Sequence, residues 1–124
     1  MSSQLIVAMM TLRNQVKLYH WETLSFPRHK ATDELVTNLD TNIDKFVEVY
    51  IGKYGRPKFS TSSSIKLRNF HDKEATSLLK QYIKWLSTSL PKLLNKSTDT
   101  DLLNIRDEIL SDLNQTLYLF SFKN

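Results

Sequence analysis

The chain has 124 residues, of which 40% are apolar, and it carries a formal net charge of +4. This length fits one compact domain, residues 1–124, with a single core. Because the sequence contains no cysteine, disulfide bonds, thiolate metal sites and thiol catalysis are excluded. Any metal ligand must then be His, Asp or Glu. The sequence has neither a membrane-spanning apolar run nor a signal peptide pattern, so we expect an intracellular, cytoplasmic protein with no membrane partner.

Apolar residues at helical spacing predict two helices in the first half of the chain. The first helix, about residues 3–24, carries apolar side chains every three or four positions, namely Leu5, Met9, Leu12, Val16 and Tyr19. The segment SFPRH interrupts this pattern, with Ser25 suited to cap the next helix and Pro27 suited to its first turn. The second helix, about residues 27–53, is amphipathic and ends at GKYGRP.

The second half of the chain predicts two more helices after a polar, serine-rich loop of about twelve to fifteen residues. Asp72 is placed to cap the third helix, which Pro91 ends or kinks. The fourth helix covers about residues 101–120, and no segment shows the alternation of a strand. We therefore predict an all-α fold, an antiparallel four-helix bundle with its longer link between the second and third helices.

One stripe of the second helix is polar and almost wholly acidic. With about 100° between successive residues, a stripe of roughly 100° beside the apolar face contains His29, Asp40, Asp33, Asp44 and Glu48. His29 and Asp33 lie four residues apart, as do Asp44 and Glu48, so each pair can share an ion. The two pairs are separated by about 22 Å along the helix axis, so they cannot hold one ion within one chain.

His20 lies near the end of the first helix, and the short turn brings it close to His29. One end of the hairpin thus offers His20, His29 and Asp33. A second copy, packed antiparallel along the second helix, would bring this group beside Asp44 and Glu48 of its neighbour, at two equivalent sites. The simpler interpretation also stands, because acidic residues favour helix N-termini and acidic stripes are usually solvated.

The segment LYHWETLSFPRHKATDELVTNLDTNIDKFVEVYIGKYGRP resembles the first helical hairpin of Dps-type mini-ferritins. That family has a His-Trp pair late in its first helix, and its second helix carries a His followed by acids four, fifteen and nineteen residues on. The matching positions here are His20, His29, Asp33, Asp44 and Glu48. The C-terminal LLNIRDEILSDLNQTLYLFSF is similar to the family's last helix.

The resemblance implies a ferritin-like homodimer, and a larger homo-oligomer, with ferroxidase sites shared across a two-fold interface. Asp44 and Glu48 would bind iron first, and His20, His29 and Asp33 would come from the neighbouring chain. Ferrous iron would be oxidised there by oxygen or peroxide and stored as the ferric product. Zinc and manganese are the other metals that this ligand set suits.

The chain departs from the family in its shorter His20–His29 link, its missing Lys-rich N-terminal extension and its reduced connection after GKYGRP. These departures concern the closed shell and DNA protection more than the dimer. The chain also resembles short ferritin-like proteins of large DNA viruses, which raises a virion location and a structural or assembly function without catalysis. A third hypothesis is nucleic-acid binding through Lys53, Arg56 and Lys58, although a solvated basic loop is the simpler interpretation.

Overall fold

The computed structural model describes residues 2–122, and its regular structure is entirely helical. The elements in chain order are α1 (Ser2–Glu22), α2 (Phe26–Tyr54), α3 (Asp72–Lys84), a π-helix (Trp85–Ser89), a 3₁₀-helix (Leu90–Leu93) and α4 (Thr100–Phe120). The described residues include no strand. The all-α prediction is confirmed, and four α-helices lie close to the predicted segments. None of the described helices is both long and apolar enough to cross a bilayer.

α2 is the central element, since it packs against both α1 and α4, and α3 packs against α4. Leu39 and Phe46 of α2 have no exposed surface, and neither do Leu102 and Leu113 of α4. Burial of each such side chain stabilises the fold by about 1.5–3 kcal/mol, so the α2–α4 contact is a major part of the core. The five apolar positions predicted for the inner face of α1 are all buried as well.

The turn between α1 and α2 follows the sequence prediction. Ser25 has an extended backbone, and its side-chain oxygen accepts a hydrogen bond from the backbone N–H of Arg28 at 3.3 Å. Pro27 lies in the first turn of α2, where its missing N–H leaves no hydrogen bond unmade. Only three residues separate the two helices, so their side chains near the turn are forced together.

The long link between α2 and α3 begins at Gly55, whose φ of 89° lies in a region that residues with a Cβ rarely adopt. The link then returns across α1, where the buried side chain of Gln15 holds it. The Gln15 amide donates to the Arg68 carbonyl at 2.9 Å and accepts from the Arg68 N–H at 2.7 Å. These two bonds pair the side chain of Gln15 with the backbone of Arg68 and so fix the end of the link against α1.

The start of α3 differs from the prediction, because Asp72 is the first helical residue and not the N-cap. His71 occupies the cap position, and its backbone N–H donates to Glu74 Oε1 at 3.2 Å. The Asp72 carboxylate instead accepts hydrogen bonds from the hydroxyls of Tyr19, at 2.5 Å, and Thr23, at 2.9 Å. Asp72 therefore ties α3 to the end of α1.

The third helix also loses its regular form earlier than predicted, at Lys84 and not at Pro91. From Trp85 to Ser89 the backbone widens into a π-helix. The hydroxyls of Ser87 and Thr88 donate at 2.7 Å to the carbonyls of Ile83 and Lys84, four residues earlier. Such bonds compete with the regular helical pattern, and two consecutive ones lie at the widened turn.

We expect Asp72→Asn to lower the free energy of unfolding by about 1 kcal/mol or less at neutral pH, because solvent screens this exposed group. The hydrogen bond from Tyr19 holds the pKa of Asp72 below its usual value. A lowered carboxyl pKa stabilises the fold at neutral pH, and this stabilisation is lost as the pH falls through the folded-state value. The parent–variant difference in urea unfolding should therefore shrink below about pH 4.

The matched control is Asp107→Asn on α4, since Asp107 is exposed and its carboxylate pairs with the adjacent Arg106. This control should leave the urea midpoint unchanged. A larger loss in the control than in Asp72→Asn would contradict the assigned contact.

Candidate metal centre

His20 and His29 form a stacked pair that joins the end of α1 to the start of α2. Their ring centroids are 4.0 Å apart, with 17° between the ring planes. Nδ1 of His20 lies 2.8 Å from the His29 carbonyl oxygen, and Nδ1 of His29 lies 2.9 Å from the His20 carbonyl oxygen. A carbonyl only accepts, so both Nδ1 atoms carry a proton. Both neutral rings therefore keep the lone pair on Nε2, the atom left for a metal.

Local packing holds the His20 ring in place. The residue is only 6% exposed, and its Nδ1 also lies 3.1 Å from the hydroxyl oxygen of Thr32 in the second turn of α2. The Phe26 ring stacks beside His29 with 6.3 Å between centroids. Sequence reasoning placed the two histidines near each other, and these contacts supply the orientation that spacing does not.

Asp33 completes a small cluster with the two histidines. Its Oδ1 lies 4.0 Å from Nε2 of His20, and its side chain is 68% exposed. The structure therefore brings together His20, His29 and Asp33, with the carboxylate on the solvent side of the imidazole. Nε2 of His20 and the Asp33 carboxylate are donors of the kind that a transition metal takes, but these three side chains alone are not placed to hold one.

Asp44 and Glu48 lie farther along α2, and both are exposed. Neither carboxylate makes a hydrogen bond or ion pair with another side chain in the described part of the chain. They are one helical turn apart and about 22 Å from the histidine cluster along the axis. Among residues 2–122, no group of three or more His, Cys, Asp or Glu side chains is placed to hold a metal ion.

Asp40 separates the two groups and is already engaged. Its two carboxylate oxygens accept hydrogen bonds from Arg13 at 2.7 and 3.3 Å, and the same contact raises the pKa of Arg13. Asp40 thus joins α1 to α2 and is not a free ligand. The two residues are 27 positions apart, and nothing in local spacing reveals their pairing.

The basic residues predicted to contact phosphate have different surroundings. The Lys53 ammonium donates to Asp101 at 2.8 Å and to the Thr98 carbonyl at 2.7 Å. Arg56 and Lys58 are exposed at the start of the link. Phosphate binding by Lys53 would have to displace these partners, so the geometry favours Arg56 and Lys58 over Lys53 for any such contact.

Asp99 is the buried centre of the contacts around Lys53. Its side chain has no exposed surface, and it lies 3.4 Å from the Lys53 ammonium. Burial alone would raise the pKa of Asp99, but hydrogen bonds from the Asn95 backbone N–H and the Tyr54 hydroxyl, together with the positive charge of Lys53, bring it below its usual value. Asp99 is therefore a buried carboxylate that joins the end of α2 to the start of α4.

Residues 20–120 match the family of unknown function DUF5856. The chain belongs to this family. The match begins at His20 and includes His29, Asp33, Asp44 and Glu48. It leaves out most of α1.

A shorter segment of the chain is similar to a bacteriophage protein. A segment of 37 residues is 51% identical to the uncharacterized 14.6 kDa protein in the mobD-ri intergenic region of Enterobacteria phage T4. The segment is 30% of this chain, and the chain spans 29% of the length of the phage protein. No solved structure matches the chain.

We expect nitrogen NMR of the histidine rings at neutral pH to show the Nδ1-protonated tautomer at both His20 and His29. Free histidine in water favours the other neutral tautomer, so this result would report the two carbonyl contacts directly. His71, which is exposed, serves as the internal control with the ordinary tautomer. Nε2 protonation at His20 and His29 would show that the rings are turned and the carbonyl contacts absent.

Proposed function

We propose that two copies of the chain pair along α1 and α2, and that this dimer oxidises ferrous iron as Dps-type mini-ferritins do. The observation that carries the proposal is the His20–His29 pair, whose Nδ1–H groups donate to backbone carbonyls and leave Nε2 of His20 4.0 Å from the Asp33 carboxylate. Such a group alone has too few ligands for an iron ion. Asp44 and Glu48, on the same stripe of α2, carry carboxylates that can supply the missing ligands.

The spacing of the two groups along α2 supports the proposed dimer. Their centres are near residues 31 and 46, so a two-fold axis perpendicular to α2 and midway between them exchanges one group for the other. His29 and Asp33 of one copy then lie beside Asp44 and Glu48 of its partner. One such axis creates two equivalent sites, each with ligands from both chains.

The surface around these groups has the character of an interface. Trp21, directly after His20, is 66% exposed, so its apolar surface is available to a partner. A groove of about 390 Å³ lies between α1 and α2, and Met10, Ile43, Asp44 and Val47 are among its lining residues. In an antiparallel dimer the Trp21 indole of one copy faces the groove of the other, because each lies at the opposite end of the hairpin.

The ligand set suits ferrous iron as a substrate. Two imidazole nitrogens and three carboxylates form a mixed donor group that favours iron, manganese or zinc. Asp44 and Glu48, which are exposed and without partners among the described residues, would capture the ion first. Two ferrous ions would each give one electron to one peroxide molecule, whose O–O bond breaks to yield two hydroxides. Oxygen is the alternative oxidant.

A mixing experiment tests both the dimer and the chemistry. One variant carries Asp44→Asn with Glu48→Gln, and the other carries His29→Gln with Asp33→Asn. Each alone should oxidise ferrous iron about tenfold or more slowly than the parent, measured by ferric absorbance after addition of peroxide. A mixed dimer regains one intact site of two, and random exchange makes about half of the dimers mixed. An equimolar mixture should therefore recover roughly one quarter of the parent rate.

The matched control removes two exposed carboxylates from α4, Asp107→Asn with Glu108→Gln, and should keep the parent rate. Parent-like oxidation in the Asp44–Glu48 variant would exclude the proposed site. Loss of activity in both variants without recovery in the mixture, with mixed dimers present by mass, would exclude a site shared between chains.

The second candidate is an assembly protein without catalysis, located in a virion. It is favoured by the exposed apolar side chains at the α1–α2 turn, where Trp21 is 66%, Leu24 98% and Phe26 67% exposed. The viral location rests on the similarity to a phage protein. Sedimentation with metal analysis separates the candidates: an oligomer that neither binds nor oxidises iron supports assembly, and a large iron-containing oligomer supports storage.

A further inference from the structure

A cavity of about 430 Å³ lies between α1, the end of the link and α3. α1 contributes Ala8, Thr11 and Gln15 to its wall. With about 100° per residue, this face of α1 is roughly opposite to the face that carries Met10 and Arg13. The cavity is therefore separate from the proposed dimer surface and independent of the proposed iron chemistry.

The wall of the cavity is mainly apolar and aromatic. Phe70 and Leu78 form part of it, and Tyr82 and Trp85 extend it toward the π-helix. Trp85 is the first residue of the widened turn, and π-turns inside helices are frequently found at functional sites. Flat, polarisable side chains of this kind favour contact with a planar ring.

The link supplies positive charge at the same cavity. Lys66 and Arg68 both line it, and no acidic side chain is among its described lining residues. The Arg68 guanidinium lies 4.9 Å from the centre of the Phe70 ring, and Gln15 fixes the Arg68 backbone through two hydrogen bonds. One of the two cations is thus held in place before any ligand arrives, which lowers the entropic cost of binding.

Tyr82 adds a neutral hydrogen-bond donor. Burial raises the pKa of its hydroxyl, so the group remains protonated well above neutral pH. The hydroxyl makes no hydrogen bond to another described residue. A ligand oxygen would meet a donor there that is not engaged by another described side chain.

We propose that this cavity binds a small aromatic anion, with its planar ring against Tyr82 and Trp85 and its negative group near Lys66 and Arg68. The volume supports a ligand of one or two fused rings, because small-molecule sites in proteins usually enclose about 300–1,000 Å³. The aromatic wall selects the ring, and the two cations select the charge. A neutral ring or an aliphatic anion satisfies only half of the site.

Titration calorimetry with three probes tests this assignment. 2-Naphthoate carries both ring and charge, 2-naphthamide keeps the ring without the charge, and hexanoate keeps the charge without the ring. We expect one naphthoate to bind per chain, about tenfold or more tightly than either other probe. Equal affinity for all three probes, or no naphthoate binding at millimolar concentration, overturns the proposal.

Two variants locate the binding. Lys66→Gln with Arg68→Gln should weaken naphthoate binding about tenfold or more, since each cation makes a charge-assisted contact. The matched control, Lys92→Gln with Lys96→Gln, removes the same charge from exposed positions that do not line the cavity and should keep the parent affinity. Equal loss in both variants would indicate a general charge effect and overturn the site.

A second measurement keeps the test independent of folding in the double variant. In the parent protein, naphthoate should shift the indole N–H signal of Trp85 in the proton–nitrogen spectrum and leave that of Trp21 in place. The single variant Lys66→Gln, which changes one exposed side chain, should require several-fold more naphthoate for the same shift. A shift at Trp21 alone would place the ligand on the other face of the molecule and overturn the proposal.

Discussion

The exchange of hydrogen bonds between His20 and His29 is the constraint on which the arrangement of the hairpin depends. The carbonyl of His20 belongs to the last turn of α1, where helical carbonyls lack partners within the helix. The ring of His29 supplies that partner, and the ring of His20 returns the bond to the first turn of α2. The His29 ring thus satisfies a carbonyl at the end of α1, and the His20 ring adds a second bond to a carbonyl near the start of α2. The same two bonds determine which ring nitrogen keeps its lone pair. The contacts that hold the hairpin together therefore also leave Nε2 as the atom that can bind a metal.

This constraint works together with contacts at two other heights of the molecule. Arg13 and Asp40 join α1 to α2 near their middles, and Asp72 joins α3 to the hairpin end. Lys53 and Asp99 join the far end of α2 to α4. Polar contacts of this kind add little energy individually compared with the buried leucines. Their effect is to select one register among the many in which amphipathic helices can pack.

The sequence was sufficient for the helices and for the histidine cluster, and insufficient for their partners. Helical spacing reports which side of a segment is apolar, so the bounds of α1, α2 and α4 were predicted within a few residues. The proximity of His20 to His29 followed from a short turn. Arg13 and Asp40 belong to different helices, and the local sequence pattern does not predict their pairing. The mistaken cap at Asp72 has the same origin, because Tyr19 and Thr23 compete for that carboxylate.

The cavity could not be predicted from the sequence either, because α1, the link and the end of α3 each supply only part of its wall. Gln15 shows why. As a polar residue on an amphipathic helix it suggests an exposed position, yet its amide pairs with the backbone of Arg68 and is buried. The family match begins at His20 and so leaves out this residue, together with the rest of the α1 wall. The histidine cluster and the cavity can therefore differ in how widely the family shares them.

The π-helix at Trp85–Ser89 has a consequence for how this chain tolerates changes in length. A widened turn holds one more residue than an α-turn over the same rise, and Ser87 and Thr88 within it are exposed. Deleting either residue would let the backbone close into an ordinary α-turn while Leu90 keeps its place in the core. An equal deletion in α2 would rotate every later side chain by about 100° and expose that core. Within the described helices, this turn is therefore the place where we expect a one-residue deletion to be tolerated best.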